Sequence, residues 1–161
     1  MDSQPQTITT RTAKKDDAAE ACMVLHRSII ELCQADHRAE RALIEQWLAN
    51  KTRENLSSWF TASELEGKVA VFDGSIVGVG LLHCEGEILL CYVLPEVVHQ
   101  GVGKALLNSM IETGKRLGVP NFFLESTAVA RAFYERNGFV SSGPPTSWCG
   151  LLGYPMEKSV K

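Results

Sequence analysis

The sequence predicts an α/β fold: a mixed, mostly antiparallel sheet with helices on its faces. Three observations carry that expectation. Apolar residues recur at helical spacing in the first sixty residues or so, three strand-like runs follow one another from Lys68, and after Pro95 a strand–helix–strand succession implies a parallel crossover. At 161 residues with 45% hydrophobic content the chain suits one domain with a buried core. That domain is expected over residues 7–161, behind a polar, flexible segment at residues 1–6.

Along the chain, "TITTRTA" alternates β-branched and polar residues as a first strand should. "KKDDAAEACMVLHRSIIELC" follows as an amphipathic helix, with Asp16 or Asp17 to cap it and Ala21, Val24, Leu25, Ile29 and Leu32 on one face. "RAERALIEQWLAN" repeats the helical spacing, and "TRENLSSWFTAS" suggests a short third helix. "KVAVF", an Asp-Gly turn and "IVGVGLLHC" form a hairpin, and "ILLCYVLP" adds a third strand that Pro95 ends. Next come the helix "VGKALLNSMIETGKRLG" and "VPNFFLEST", a continuous apolar run typical of a central buried strand. A last helix, "AVARAFYERNG", stops at Asn137-Gly138, and "FVSSG" and "SWCGLLGYPMEK" supply two final strands separated by Pro144-Pro145.

Composition excludes several functions. A net charge of −3 gives no electrostatic footprint for a nucleic-acid backbone. No stretch approaches the ~20 apolar residues of a membrane span, and "MDSQPQTITT" lacks a charged n-region and an apolar h-region; a cytoplasmic location is expected. The five cysteines show no metal-ligand spacing and read as reduced, mostly buried small hydrophobes, so no metal is expected.

"HQGVGKALL" places Gly101 and Gly103 where a loop becomes a helix. Glycines there let the backbone turn with positive φ and leave unpaired N–H groups at the positive end of the helix dipole, a site that suits a phosphate. The alternative is that they serve only a tight strand-to-helix turn. A Walker loop fails on spacing and on the missing hydroxyl after Lys104, and a dinucleotide fingerprint fails because the loop follows a meander.

"EILLCYVLP" leading into "HQGVGKALL", followed after a helix by "ESTAVARAFYERNGF", resembles the GNAT superfamily of acyl-CoA-dependent N-acyltransferases, over about Val69 to Lys158. The resemblance implies a GNAT-like fold and acetyl-CoA as cosubstrate. Gly101 and Gly103 match the two small positions of the family loop, whereas Val98 stands where the family carries Gln or Arg. It further implies that the N–H groups of Gln100, Gly101, Val102, Gly103, Lys104 and Ala105 hold the pyrophosphate. Val93, with Leu94 beside it, would present a backbone donor to the thioester carbonyl, and Thr127 would lie on the cofactor side.

"AFYERNGF" matches the family's F-Y-x-x-x-G-F, which makes Tyr134 the implied general acid for the leaving thiolate; a phenol of pKa near ~10 stays protonated at neutral pH. As an alternative, Phe133 and Tyr134 are core aromatics of an amphipathic helix. Glu87 is the implied base. Strand alternation puts it on the face of Leu89, Cys91 and Val93, unless it is a solvated turn residue beside Glu85. His83 is a reserve base or a structural histidine, and Cys91 reads as an inert buried thiol. On the acceptor side Asp36, His37 and Trp47 are candidates for contact with a cationic or aromatic amine, against a helix cap for Asp36 and a core position for Trp47. The expected reaction is direct acetyl transfer to a primary amine of a small molecule or a polypeptide. The alternative is a non-catalytic acyl-CoA-binding sensor or regulatory module, and a homodimer is allowed in either case.

Overall fold

In the computed structural model, residues 7–160 are described; the expected flexible segment at residues 1–6 lies outside them. Helix α1 (Ala18–Leu32) buries Ala18, Ala21, Val24, Leu25 and Ile29, one helical stripe, against the sheet. Asp17 occupies its N-cap without capping it. Its carboxylate instead accepts from Lys14 N–H at 2.7 Å and from the Arg11 guanidinium at 2.8 and 2.9 Å, closing the turn before the helix. The one-turn helix α2 (Gln34–His37), α3 (Arg41–Leu48) and α4 (Arg53–Thr61) follow, and Thr52 caps α4 by accepting from Asn55 N–H.

β1 (Thr9–Thr12), β2 (Leu65–Phe72), β3 (Ser75–His83) and β4 (Ile88–Val93) form an antiparallel sheet in that order. Asp73 and Gly74, both at positive φ, make the two-residue turn between β2 and β3. After α5 (Val102–Arg116), β5 (Asn121–Ser126) and α6 (Arg131–Arg136), the chain forms β6 (Val140–Ser141), β7 (Thr146–Trp148) and β8 (Leu151–Ser159). These last strands build a second antiparallel sheet, β5-β8-β6, with β7 paired to β8.

Two strand expectations need correction. "SWCGLLGYPMEK" is a hairpin rather than one strand, because Cys149 and Gly150 both turn at positive φ and set Trp148 opposite Leu151. β5 is not buried on both faces. Phe122, Leu124 and Ser126 point into the core between α5 and the sheet, while Phe123 is 42% exposed, the pattern of a strand with one solvated side.

The crossover β4–α5–β5 is present, but the two parallel strands touch through a single bridge, Glu87 to Phe123, beyond which the sheets part. A bulge accompanies the parting. Leu81 pairs with Leu90 and Leu82 with Ile88, which leaves Leu89 as an extra residue. Leu90 therefore packs with Leu81 against α1, and Ile88 packs with Leu82, Leu107 and Met110 on the α5 side. The extra residue inverts the alternation, so Glu87 does not share a face with Cys91 and Val93 as the sequence implied.

Candidate active site

Where β4 and β5 part, a cleft of about 920 Å³ opens. β4 contributes Leu89 to Val93, and β5 contributes Glu125 and Ser126, with Thr127 just beyond. The first turn of α5, the inner face of α6 and the C-terminal end of α1 complete the walls.

Gly101 is the N-cap of α5, at φ +84, and no side chain caps this helix. A Cβ there would meet nothing within 4 Å, so the glycine supplies a backbone conformation rather than room. At Gly103 the reason is different: an added Cβ would stand 3.3 Å from Cζ of Phe133 on α6. Gln100 N–H donates to Val97 O at 3.3 Å and Ala105 N–H to Gly101 O at 3.0 Å. The donor cradle expected from Gln100 to Ala105 therefore narrows to the groups between them, from Gly101 to Lys104, at the positive end of a fifteen-residue helix. Lys104 and Arg136 line the same cleft and form no ion pair among the described residues.

Tyr134 is 6% exposed and reaches the cleft from α6, its ring edge-on to Phe133 at 5.1 Å and to Phe139 at 5.6 Å. Burial pushes its phenol well above the ordinary tyrosine value, and neighbouring Cys91 and Tyr92 push the same way. Burial likewise lifts the Cys91 thiol to about 12, partly offset by a hydrogen bond from Tyr134. Both groups are neutral at physiological pH. Just past β4, Leu94 N–H donates to Val77 O at 2.9 Å, which removes it as a carbonyl donor. The alternation of an antiparallel ladder turns Val93 N–H the other way, toward the edge facing β5.

The family profile described as "Acetyltransferase (GNAT) domain" matches residues 33–160. The chain belongs to the GNAT acetyltransferase family. A GCN5-related N-acetyltransferase from Rhodopseudomonas palustris has the same fold, with a TM-score of 0.85 and 22% identity over 99% of this chain and 100% of that one. PaiA N-acetyltransferase from Thermoplasma acidophilum, solved in complex with coenzyme A, gives 0.81 and 22% over 95% and 99%. The ribosomal-protein-S18-alanine N-acetyltransferase from Escherichia coli gives 0.66 and 19% over 96% and 94%. No curated protein matches the sequence.

In this GNAT acetyltransferase the residues present fit an acyl-CoA. The α5 donors, together with Lys104 and Arg136, which have no ion-pair partner among the described residues, suit a pyrophosphate, and the parted strands leave an unfilled edge on β4. Thr127 lines the cleft, its hydroxyl accepting from Ala130 N–H at 3.2 Å. Glu87 and His83 do not line it. His83 sits at the β3–β4 turn, where Nδ1 accepts from Glu85 N–H at 3.1 Å, and Glu87 forms the bridge to β5 behind the cleft.

His37 is 1% exposed and wholly engaged: Nδ1 accepts from Ala39 N–H at 3.0 Å, so Nε2 carries the proton and donates to Ile29 O at 2.9 Å. Asp36 is engaged with backbone N–H groups of the segment before α6. Neither lines the cleft as an acceptor contact. Trp47 is in the core with Ile29, Leu43 and Leu151. The cleft contains a carboxylate that sequence reading passed over, Glu125, whose Oε1 accepts from the Thr146 hydroxyl at 2.8 Å. The run "NFFLES" shows no alternation in its sequence; only the folded strand does, burying Leu124 on one face and leaving Glu125 on the other. Among the described residues no helix is long and apolar enough to cross a membrane.

Proposed function

We propose that the protein is an acetyl-CoA-dependent N-acetyltransferase that passes the acetyl group directly to a primary amine. The observation that carries this reading is that a buried Tyr134 and the open donors of α5 line one cleft, at the point where β4 parts from β5. Acetyl-CoA supplies an activated carbonyl and a thiolate leaving group.

The residues of the chain do the rest. N–H groups from Gly101 to Lys104, with Lys104 and Arg136, hold the phosphates. Val93 N–H donates to the carbonyl oxygen as negative charge builds on it. The amine nitrogen forms its bond to the carbonyl carbon, the carbon–sulfur bond breaks, and Tyr134 gives its proton to the departing sulfur. A phenol raised by burial is a weak acid, but a thiolate released beside it is raised by the same burial. Cys91 gauges that effect, its thiol standing at about 12 in the same cleft. The acceptor ammonium, with a pKa near ~10.4 in water, must lose a proton before attack. Glu125 is the cleft carboxylate available to take it, directly or through water.

A thermal-shift measurement with acetyl-CoA, followed by free-thiol detection over a panel of small primary amines, peptide N-termini and lysine peptides, tests the reading. Stabilisation together with thiol release supports it. Stabilisation with no release on any amine would make the protein an acyl-CoA-binding module instead.

A further inference from the structure

Asp36 is 92 and 93 residues away in sequence from the two groups it holds. Its Oδ1 accepts from Ala128 N–H at 2.6 Å and its Oδ2 from Val129 N–H at 3.4 Å, in the turn between β5 and α6. That turn has no side chain capping the helix that follows, and besides Asp36 it is held by the Thr127 hydroxyl, which accepts from Ala130 N–H, and by the Ser126 hydroxyl, which donates to Thr127 O at 2.7 Å. Ala130 O in turn accepts from Tyr134 N–H at 3.1 Å, the first helical bond of α6. The carboxylate therefore grips the backbone one helical turn ahead of the phenol.

The other end of the grip is rigid. α2, which carries Asp36, is locked by His37, buried and bonded at both ring nitrogens to Ile29 O and Ala39 N–H, with its ring edge-on to Trp47 at 6.3 Å. Arg38 and Ala39 then leave α2 at positive φ, which fixes its exit. α2 thus acts as a bracket between the end of α1 and the turn that bears Thr127, Val129 and Ala130 into the cleft.

We propose that Asp36 is a positioning residue for Tyr134: through the turn at Ala128 and Val129 it sets where α6 places the phenol relative to the leaving sulfur. This rests on the reading of Tyr134 as the proton donor. Loss of the carboxylate lets the 127–130 turn relax and the phenol drift, a displacement that lowers the chemical step far more than cofactor binding. Asn at position 36 keeps one oxygen for Ala128 but turns an amide N–H₂ toward Val129 N–H, so it restores part of the grip.

The test is a double-mutant cycle of Asp36→Ala and Tyr134→Phe, with the best acceptor of the amine panel and free-thiol release as the readout. Asp36→Ala is expected to lower kcat about tenfold with the acetyl-CoA KM within about twofold, and Asp36→Asn to lie between it and the parent. In the Tyr134→Phe background the same change is expected to cost less than about twofold. An equal loss in both backgrounds, or none in either, overturns the proposal. If Asp36→Ala leaves kcat intact while Tyr134→Phe reduces it, the positioning role falls and the proton donor stands. If Tyr134→Phe turns over normally, both fall. Should Asp36→Ala fail to fold, Asp36→Asn runs the cycle with the same expected pattern.

Discussion

A Cβ on Gly103 would lie 3.3 Å from the ring of Phe133, and Phe133 in turn packs edge-on against Tyr134 with ring centroids 5.1 Å apart. The second glycine of the loop thus sets how closely α5 approaches the helix that carries the proposed acid. Gly103→Ala is expected to leave the melting temperature within a few degrees, because a gain in helix propensity of up to about 1 kcal/mol offsets the crowding. It is expected to raise the acetyl-CoA KM several-fold by displacing Phe133. Steady-state kinetics with a parallel thermal melt separates the two effects.

Gly101 should behave differently, since its environment is open and its φ is +84. Gly101→Ala is expected to cost about 1–2 kcal/mol in denaturant unfolding, the ordinary penalty for an L side chain in that region. Gly101→Asn is expected to cost less, because asparagine tolerates the conformation. Equal losses for the two would mean that the position is limited by space instead.

Tyr134→Phe removes the proton donor while keeping the ring that packs on Phe133 and Phe139. A kcat loss of roughly 10²- to 10⁴-fold is expected, with acetyl-CoA stabilisation of the fold retained. The pH profile follows from the direction of the shift. The donor acts in its protonated form, and burial raises its pKa, so the protonated form persists to higher pH than an exposed tyrosine allows. In the parent, kcat is expected not to fall on the alkaline side before about pH 10, which a rate profile over saturating substrates reads directly.

Asp17 gives a stability prediction with a definite sign. The Arg11 guanidinium and Lys14 N–H hold its carboxyl below the usual range. A depressed folded-state pKa contributes stability above the unfolded value, near ~3.9, and loses it as pH falls through the folded one. Asp17→Asn is expected to lower the melting temperature modestly at pH 7, and the gap to the parent is expected to close below about pH 4 as the parent carboxyl protonates. Melts at the two pH values decide it.

Cys84 and Cys149 are exposed, whereas Cys33 is buried and Cys91 faces the cleft with its thiol pushed up by burial, each of the latter two to about 12. Alkylation at pH 8 followed by peptide mass mapping is expected to label Cys84 and Cys149 and to spare Cys33 and Cys91, because only the thiolate reacts.

What could be read from the sequence follows from how local each signal is. The Asp73-Gly74 hairpin, the glycine-led start of α5 and the F-Y-x-x-x-G-F stretch around Tyr134 depend on neighbouring residues and were legible. The bulge at Leu89 was not, because an apolar run carries no mark of an extra residue, and the face assigned to Glu87 turned on it. Asp36 and His37 stand out as polar residues near an expected acceptor wall, yet their partners are backbone groups that only the tertiary fold brings to them. Glu125 lies in a stretch that reads as continuously apolar, and only pairing of β5 with β8 on one side and its parting from β4 on the other sends its side chain to the cleft.

A crystal structure of the protein grown with acetyl-CoA tests the centre of this picture most directly. The pyrophosphate should sit on the N–H groups from Gly101 to Lys104, with the thioester sulfur within hydrogen-bond reach of the Tyr134 hydroxyl. A cofactor bound elsewhere, or one whose sulfur lies far from that hydroxyl, would contradict it.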